Sequence, residues 1–244
     1  MPIVIQAITP ADIPAAVRCI QTAFDSDPYN NWVFNKTSPP SAGGFSQTRN
    51  FASLRAKCDW GIRSSYALFY IARDVPENAK SNSEGKIVGV SMWTTPEMTT
   101  QPQAWTDWAN DWRLWVTQGL NVLWYQGWGG LRRDRYWVWK REQGLCQKEL
   151  WTDEKGYYFV NIVVVDPTCQ GQGVGRKLFE IVMQRADQEG RKCYLESSRW
   201  EPNVKIYERL GFEVRKKMRC EADDGTGEGV DLFCMVREPK SGAE

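Results

Sequence analysis

The sequence predicts a mixed α/β (α+β) fold, with a central, largely antiparallel sheet flanked by helices and a tryptophan-rich helical insertion. Three observations carry this. Two neighbouring β-rich runs precede residue 95, a strand–glycine turn–helix–strand unit follows residue 156, and a final pair of β-rich runs closes the chain. The 244 residues are enough for one full core, so a single domain over 1–244 with an insertion at about 96–151 is expected, not two equal domains.

In chain order, Ile3 to Ile8 has the β-branched character of a first strand. Thr9-Pro10-Ala11-Asp12 then offers an N-cap with proline at the first helical position, and a helix is expected to about Phe24. Asp25-Ser-Asp-Pro28 should break it. The segment through Pro39, Pro40, Gly43 and Gly44 has loop composition, with a second helix around Gln47 to Cys58. Tyr66 to Ala72 and Lys86 to Thr94 should be antiparallel neighbours joined by a long, exposed polar loop, Asp74 to Gly85.

In the insertion, Trp105, Trp108, Trp112 and Trp115 fall within an arc of about 80° at helical spacing, with Asp107 and Asn110 away from it. That predicts an amphipathic helix whose rings mostly pack in the core, a minority walling an aromatic acceptor pocket open to an apolar or cationic amine. Trp124 and Trp128 hint at a second helix, and the alternation of Trp137 and Trp139 at a short strand or irregular segment. Beyond it, Tyr157 to Val165 predicts a strand, Gly173 to Glu189 a helix and Lys192 to Glu196 another strand. Pro202 to Leu210 should be a short helix ended by Gly211. Phe212 to Lys217 and Asp231 to Val236 should pair around the turn-rich Asp223 to Gly229.

Composition narrows the chemistry. The 31 basic and 30 acidic residues nearly cancel, which gives no general electrostatic reason for a nucleic-acid or membrane partner. No run approaches the roughly 20 apolar residues of a spanning helix, and the start lacks a signal-peptide pattern, so a cytoplasmic protein is expected. Seven scattered cysteines without a C-x-x-C pair suggest small core residues, not a disulfide framework or a metal site. The chain has no histidine, which excludes the usual serine and cysteine triads and His-based zinc hydrolase sites. Proton transfers fall to carboxylate, tyrosine, cysteine, lysine or water.

The decisive segment is Val163-Val-Val-Asp-Pro-Thr-Cys-Gln170-Gly-Gln-Gly173-Val-Gly175-Arg-Lys-Leu, a strand passing through a glycine-rich turn into a helix. Free N–H groups and the helix dipole at such a turn attract an anion, with pyrophosphate the natural guest. A Rossmann pattern would need glycine at Arg176, and a nucleotide-triphosphatase loop would need G-K-[ST]. The segment resembles instead the GNAT acetyl-CoA signature Q/R-x-x-G-x-G/A, filled by Gln170, Gly173 and Gly175. Asn203-Val-Lys-Ile-Tyr207-Glu-Arg-Leu-Gly211-Phe212 is similar to the downstream block of the same superfamily, although Ile206 stands where an aromatic is common. The resemblance covers 160–237 well and the first ninety-odd residues only by element order. Tyr194-Leu-Glu196-Ser-Ser198 and the late Cys234-Met-Val-Arg look most like the puromycin N-acetyltransferase type.

The resemblance implies an enzyme that moves an acetyl group from acetyl-CoA, with no metal, to an amine of a small molecule by direct attack. It implies that backbone groups at Val163, Val164 and Val165 pair with the pantetheine arm, that Gln170, Gly171, Gln172, Gly173, Val174, Gly175 and Arg176 hold the pyrophosphate, and that Asn203 and Tyr207 meet the CoA chain. Tyr207 is the family-matched acid for the departing thiolate, or else a packed tyrosine. Asn203, four residues earlier, should share its helix face, or serve as an N-cap. Glu196, at a strand end, is the candidate base; Asp166, Asp25 and a water chain are weaker options. Cys169 and Cys193 invite a covalent route, disfavoured because no histidine activates either thiol. A protein or peptide acceptor and a non-catalytic acyl-CoA sensor are the competing readings.

Overall fold

The computed structural model describes residues 2–76, 85–223 and 225–240. Seven strands form one sheet in the order β1-β2-β3-β4-β5-β7-β6, where β1 is Ile3–Ala7, β2 Ala67–Asp74, β3 Lys86–Thr94, β4 Tyr157–Val165, β5 Lys192–Ser197, β6 Glu213–Glu221 and β7 Gly229–Arg237. Every neighbouring pair is antiparallel except β4 and β5. The mixed, largely antiparallel sheet is therefore as expected. The long hairpin loop expected between β2 and β3 has residues 77–84 outside the described residues, as does Asp224 of the last turn.

Two helical layers cover the sheet. One face carries α1 (Ile13–Phe24), α2 (Pro28–Val33), α3 (Gln47–Arg63), the single turn α4 (Glu97–Thr100), α5 (Trp105–Trp124) and α6 (Arg133–Leu150). Among these, α4 and α5 touch the sheet least. The other face carries α7 (Val174–Gln188), whose Val174, Leu178, Phe179, Val182, Met183 and Ala186 recur at helical spacing and are all buried. The short helix α8 (Lys205–Arg209) packs beside it. Arg237 of β7 is 2% exposed and grips Asp187 of α7 with two bonds of 2.8 and 2.7 Å, while its Nε donates to Leu210 O at 3.2 Å. Such a bidentate pair fixes the end of α8 to both neighbours.

At the start of α1, the Thr9 N–H and hydroxyl both donate to Asp12 Oδ2, at 2.9 and 2.8 Å. Proline at the first position opens a short 3₁₀ turn that runs into the helix. The segment after Asp25 was expected to be loop, yet it contains α2. Asp27 Oδ1 accepts from the Asn30 N–H at 2.9 Å and Pro28 sits at the first turn, a complete N-terminal cap within a polar stretch.

The largest correction concerns α5. It is an amphipathic helix, but turned the other way. Trp105, Trp115 and Trp124 are 72%, 70% and 82% exposed, whereas Asp107 and Asn110 are buried. Asp107 accepts from the Ser65 N–H at 2.9 Å and the Ser65 hydroxyl at 2.6 Å; Asn110 Nδ2 donates to Trp60 O at 3.0 Å. The end of α3 presents backbone groups that need partners, and the polar face of α5 supplies them. Trp137 and Trp139, expected in a strand or irregular segment, lie in α6. No described helix is long and apolar enough to cross a membrane.

Candidate active site

β4 and β5 pair only at Tyr157↔Lys192, Tyr158↔Cys193 and Phe159↔Tyr194, while β4 stays paired to β3 as far as Val165. From Val160 onward the β5-facing edge of β4 has no strand beside it. The divergence begins beside a bulge: Trp93 pairs with Val160 and Met92 with Ile162, so Asn161 is the extra residue. The bulge also flips the faces, leaving Tyr157 and Phe159 against α6 and turning Val163 and Val165 toward α7. A V-shaped opening with unpaired backbone groups suits an extended guest that carries amides.

The glycine turn stands at the open end of β4. Gly171 and Gly173 both have φ of +77°, a conformation side chains rarely adopt, and a Cβ on either would meet nothing within 4 Å. Gly173 is the N-cap of α7, and no side chain caps the helix, so its first amides point outward. Gln170 Nε2 reaches back to Val165 O at 3.4 Å, and Gln172 and Val174 complete the turn. The Arg176 side chain pairs with Glu180 at 2.6 Å along the exposed face of α7.

Glu196 projects from β5 toward α6. Its Oε2 accepts from Gln143 Nε2 at 2.8 Å and its Oε1 from the Tyr194 hydroxyl at 3.0 Å. Burial pushes its carboxyl above the usual range, against these bonds and nearby Lys140, which act the other way. Gln143 also lines an open cavity of about 420 Å³ between α3, α4, α5 and α6, with Thr94 of β3 and Asn161 of β4 in its lining. Phe159, another lining residue, packs against Tyr194 with ring centroids 5.5 Å apart.

Tyr207 stands on α8, half-buried, its ring 5.5 Å from that of Phe179 and 6.4 Å from that of Phe212. Burial pushes its phenol up to about 12, and the charge of Asp27 adds to the rise. Asn203 does not share a regular helix face with it; the residue belongs to a wide, irregular turn, Trp200–Val204, before α8 begins. The helix face that Asn203 and Tyr207 were expected to share is therefore not formed.

Sequence reasoning missed Asp27 and Tyr29. Asp27 caps α2 and Tyr29 lies within it, and this segment bridges the two candidate groups: Ser198, just past β5, donates its hydroxyl to Asp27, whose charge is felt by Tyr207. Tyr29 packs on Trp139 at 5.1 Å, and burial, with Tyr136, Cys220, Glu196 and Asp27, holds its phenol well above its usual value. The Asp-Pro pair was the available signal, since it caps a helix as readily as it ends one.

Of the weaker options, Asp166 is held near 2 by bonds from Lys86 at 2.8 Å and from the Thr168 hydroxyl and N–H, so it shapes the turn and is a poor base. Asp25 lies exposed beside Lys36. Cys193 is fully buried and its thiol is pushed up to about 12, unsuited to nucleophilic attack. Cys169 is half-buried beside Thr168; the other six cysteines are buried. Among the described residues no cluster of His, Cys, Asp or Glu could hold a metal ion.

Residues 132–214 match a family model described as an acetyltransferase (GNAT) domain. An uncharacterized N-acetyltransferase of Schizosaccharomyces pombe is 30% identical over 136 residues, 52% of this chain and 57% of that protein. A second from the same yeast is 31% identical over 162 residues, 64% of this chain and 59% of that protein. The chain thus spans somewhat under three-fifths of the curated relatives it matches. Among solved structures, arylalkylamine N-acetyltransferase 2 of Aedes aegypti is similar with a TM-score of 0.58 at 15% identity, over 98% of this chain and 100% of that one. A Corynebacterium glutamicum structure titled histone acetyltransferase HPA2 and related acetyltransferase gives 0.55 at 23% identity, over the whole of both chains. These two likenesses show the fold.

Proposed function

This chain carries a GNAT acetyltransferase domain, and from that premise we propose that it moves an acetyl group from acetyl-CoA to the amine of a small molecule by direct attack. The observation that carries the proposal is the opening between β4 and β5, which lies at the same end of β4 as the uncapped glycine turn. One extended ligand with amides along its middle and a pyrophosphate at one end fits both features.

In this reading the pantetheine arm runs along Val163, Val164 and Val165, the pyrophosphate lies on the amides of 170–176, and the amine enters from the cavity under α6. Glu196 takes the ammonium proton, directly or through water. The free amine attacks the thioester carbonyl, the C–S bond breaks, and Tyr207 gives its proton to the departing thiolate. A raised carboxylate pKa suits the base, which must hold a proton taken from an amine. A phenol that stays protonated at neutral pH suits the acid. The walls formed by α5 and α6 favour a small acceptor over a peptide laid in an open groove, and the membership of all seven strands in one sheet supports a single domain.

The test is release of free CoA thiol on mixing the protein with acetyl-CoA and a panel of small amines. Amine-dependent release is expected. CoA binding by calorimetry without release for any amine would leave the non-catalytic sensor.

A further inference from the structure

Two ammonium groups line the cavity, from different helices. Lys57 of α3 places Nζ 3.8 Å from the Trp60 ring centroid, and Lys140 of α6 places its Nζ 4.4 Å from that of Trp139 while donating to Gln143 Oε1 at 3.0 Å. Neither has a carboxylate oxygen within 4.0 Å among the described residues. Asp111, the carboxylate in the cavity lining, accepts from Trp60 Nε1 and from Gln103 Nε2, each at 2.6 Å, and its charge acts on Lys57 only from beyond 4.0 Å. Most Lys and Arg side chains elsewhere in the chain do have such partners, as Lys86 has in Asp166 and Lys192 in Glu238. Five aromatic rings join the lining: Trp60, Trp115, Trp151, Tyr157 and Phe159. The indole N–H of Trp151 is buried without an acceptor.

Cations that face one cavity beyond ion-pair distance of any carboxylate lose hydration that Asp111 and Glu196 offset only in part, and an anion seated between them would stabilise both. Lys140 lies on the same face of α6 as Gln143, three residues on, and Gln143 touches Glu196, so an anion at the lysines would sit within one small molecule's length of the candidate base.

We propose that the acceptor is an amine that also carries an anionic group on an aromatic or apolar body, with the anion held between Lys57 and Lys140. This rests on the acyl-transfer reading of the site, and it replaces the sequence-based expectation of an apolar or cationic amine. The lysine environments agree with it: burial, with Lys140 in the same direction and Asp111 opposing, lowers Lys57 to about 8, and burial, with Glu196 opposing, lowers Lys140. An anion would raise both.

The test separates the anion site from the chemistry. Calorimetry on the CoA-loaded protein compares 3-phenylpropanoate with its uncharged alcohol, 3-phenylpropanol. The carboxylate should bind at least about tenfold more tightly, the lower range for a hydrogen bond between charged groups. A Lys57→Met, Lys140→Met double variant, which keeps the apolar stems, should abolish that preference while retaining CoA affinity. In parallel, thiol release should be faster with phenylalanine than with phenethylamine in the wild-type protein, and the reverse order would overturn the proposal. Equal binding of acid and alcohol, binding of neither, or a preference untouched in the folded double variant would overturn the anion site. Carboxylate binding with no thioester consumed by any amine would instead leave the anion site standing and remove the acyl-transfer reading.

Discussion

Gln143 on α6 donates to Glu196 on β5 at 2.8 Å, so the wall of the proposed acceptor cavity and the candidate base form one hydrogen-bonded unit. Burial raises the Glu196 carboxyl more than Gln143, Tyr194 and Lys140 lower it. A base must be ionised to work, so activity should rise with pH through this elevated pKa. We expect Glu196→Gln to lower kcat by about 10²-fold and to erase that acidic limb of the kcat/KM profile. A limb that persists in the variant would assign the base to another group or a water chain.

Tyr207 is held up to about 12 and so remains a donor throughout the neutral range. Tyr207→Phe keeps the ring contacts with Phe179 and Phe212 and removes only the hydroxyl. The expected result is a kcat about 10²-fold lower with little change in KM for acetyl-CoA. If kcat stays within about twofold while chemistry limits the rate, Tyr207 is a packing residue.

Gly173 combines a left-handed backbone with open space where a Cβ would stand. Asparagine tolerates that backbone far better than most residues, which lets charge be separated from strain. Calorimetry should show CoA binding to Gly173→Asp at least about tenfold weaker than to Gly173→Asn, because only the former sets a carboxylate against the pyrophosphate. Equal affinities in two folded variants would place the pyrophosphate elsewhere.

How much of this could be read in advance depends on the type of signal. β4, the glycine turn and α7 were legible because a β-branched run, three glycines and a helical apolar stripe each have a local cause, and their bounds came out within a residue or so. Glu196 and Tyr207 were legible as candidates, but their partners were not. Gln143, Asp27 and Tyr29 reach the site from segments 53 to 180 positions away, on elements whose placement periodicity does not encode. The two lysines were hidden for the same reason, since Lys57 and Lys140 line one cavity only once α3 and α6 are both placed around it.

The phase of α5 was the other illegible feature, and it supplies the last prediction. Apolar side chains recurring at helical spacing say that the helix has two unlike faces. They do not say which face is inside when backbone groups at the neighbouring helix end need acceptors. Here Asp107, 3% exposed, satisfies the N–H and hydroxyl of Ser65 and contacts Ser64, while Trp124 stands almost fully in solvent. Asp107→Ala would remove the acceptor of buried Ser64 and of the Ser65 N–H and hydroxyl, and such losses typically cost about 1–3 kcal/mol. Trp124→Ser removes a large ring that buries little, and exposed substitutions of this kind usually change stability by no more than about 0.5 kcal/mol. Chemical denaturation of both variants decides the phase directly, because a hydrophobic face turned inward would reverse the ranking: Trp124→Ser would then be the damaging change, by about 3 kcal/mol or more, and Asp107→Ala the tolerated one.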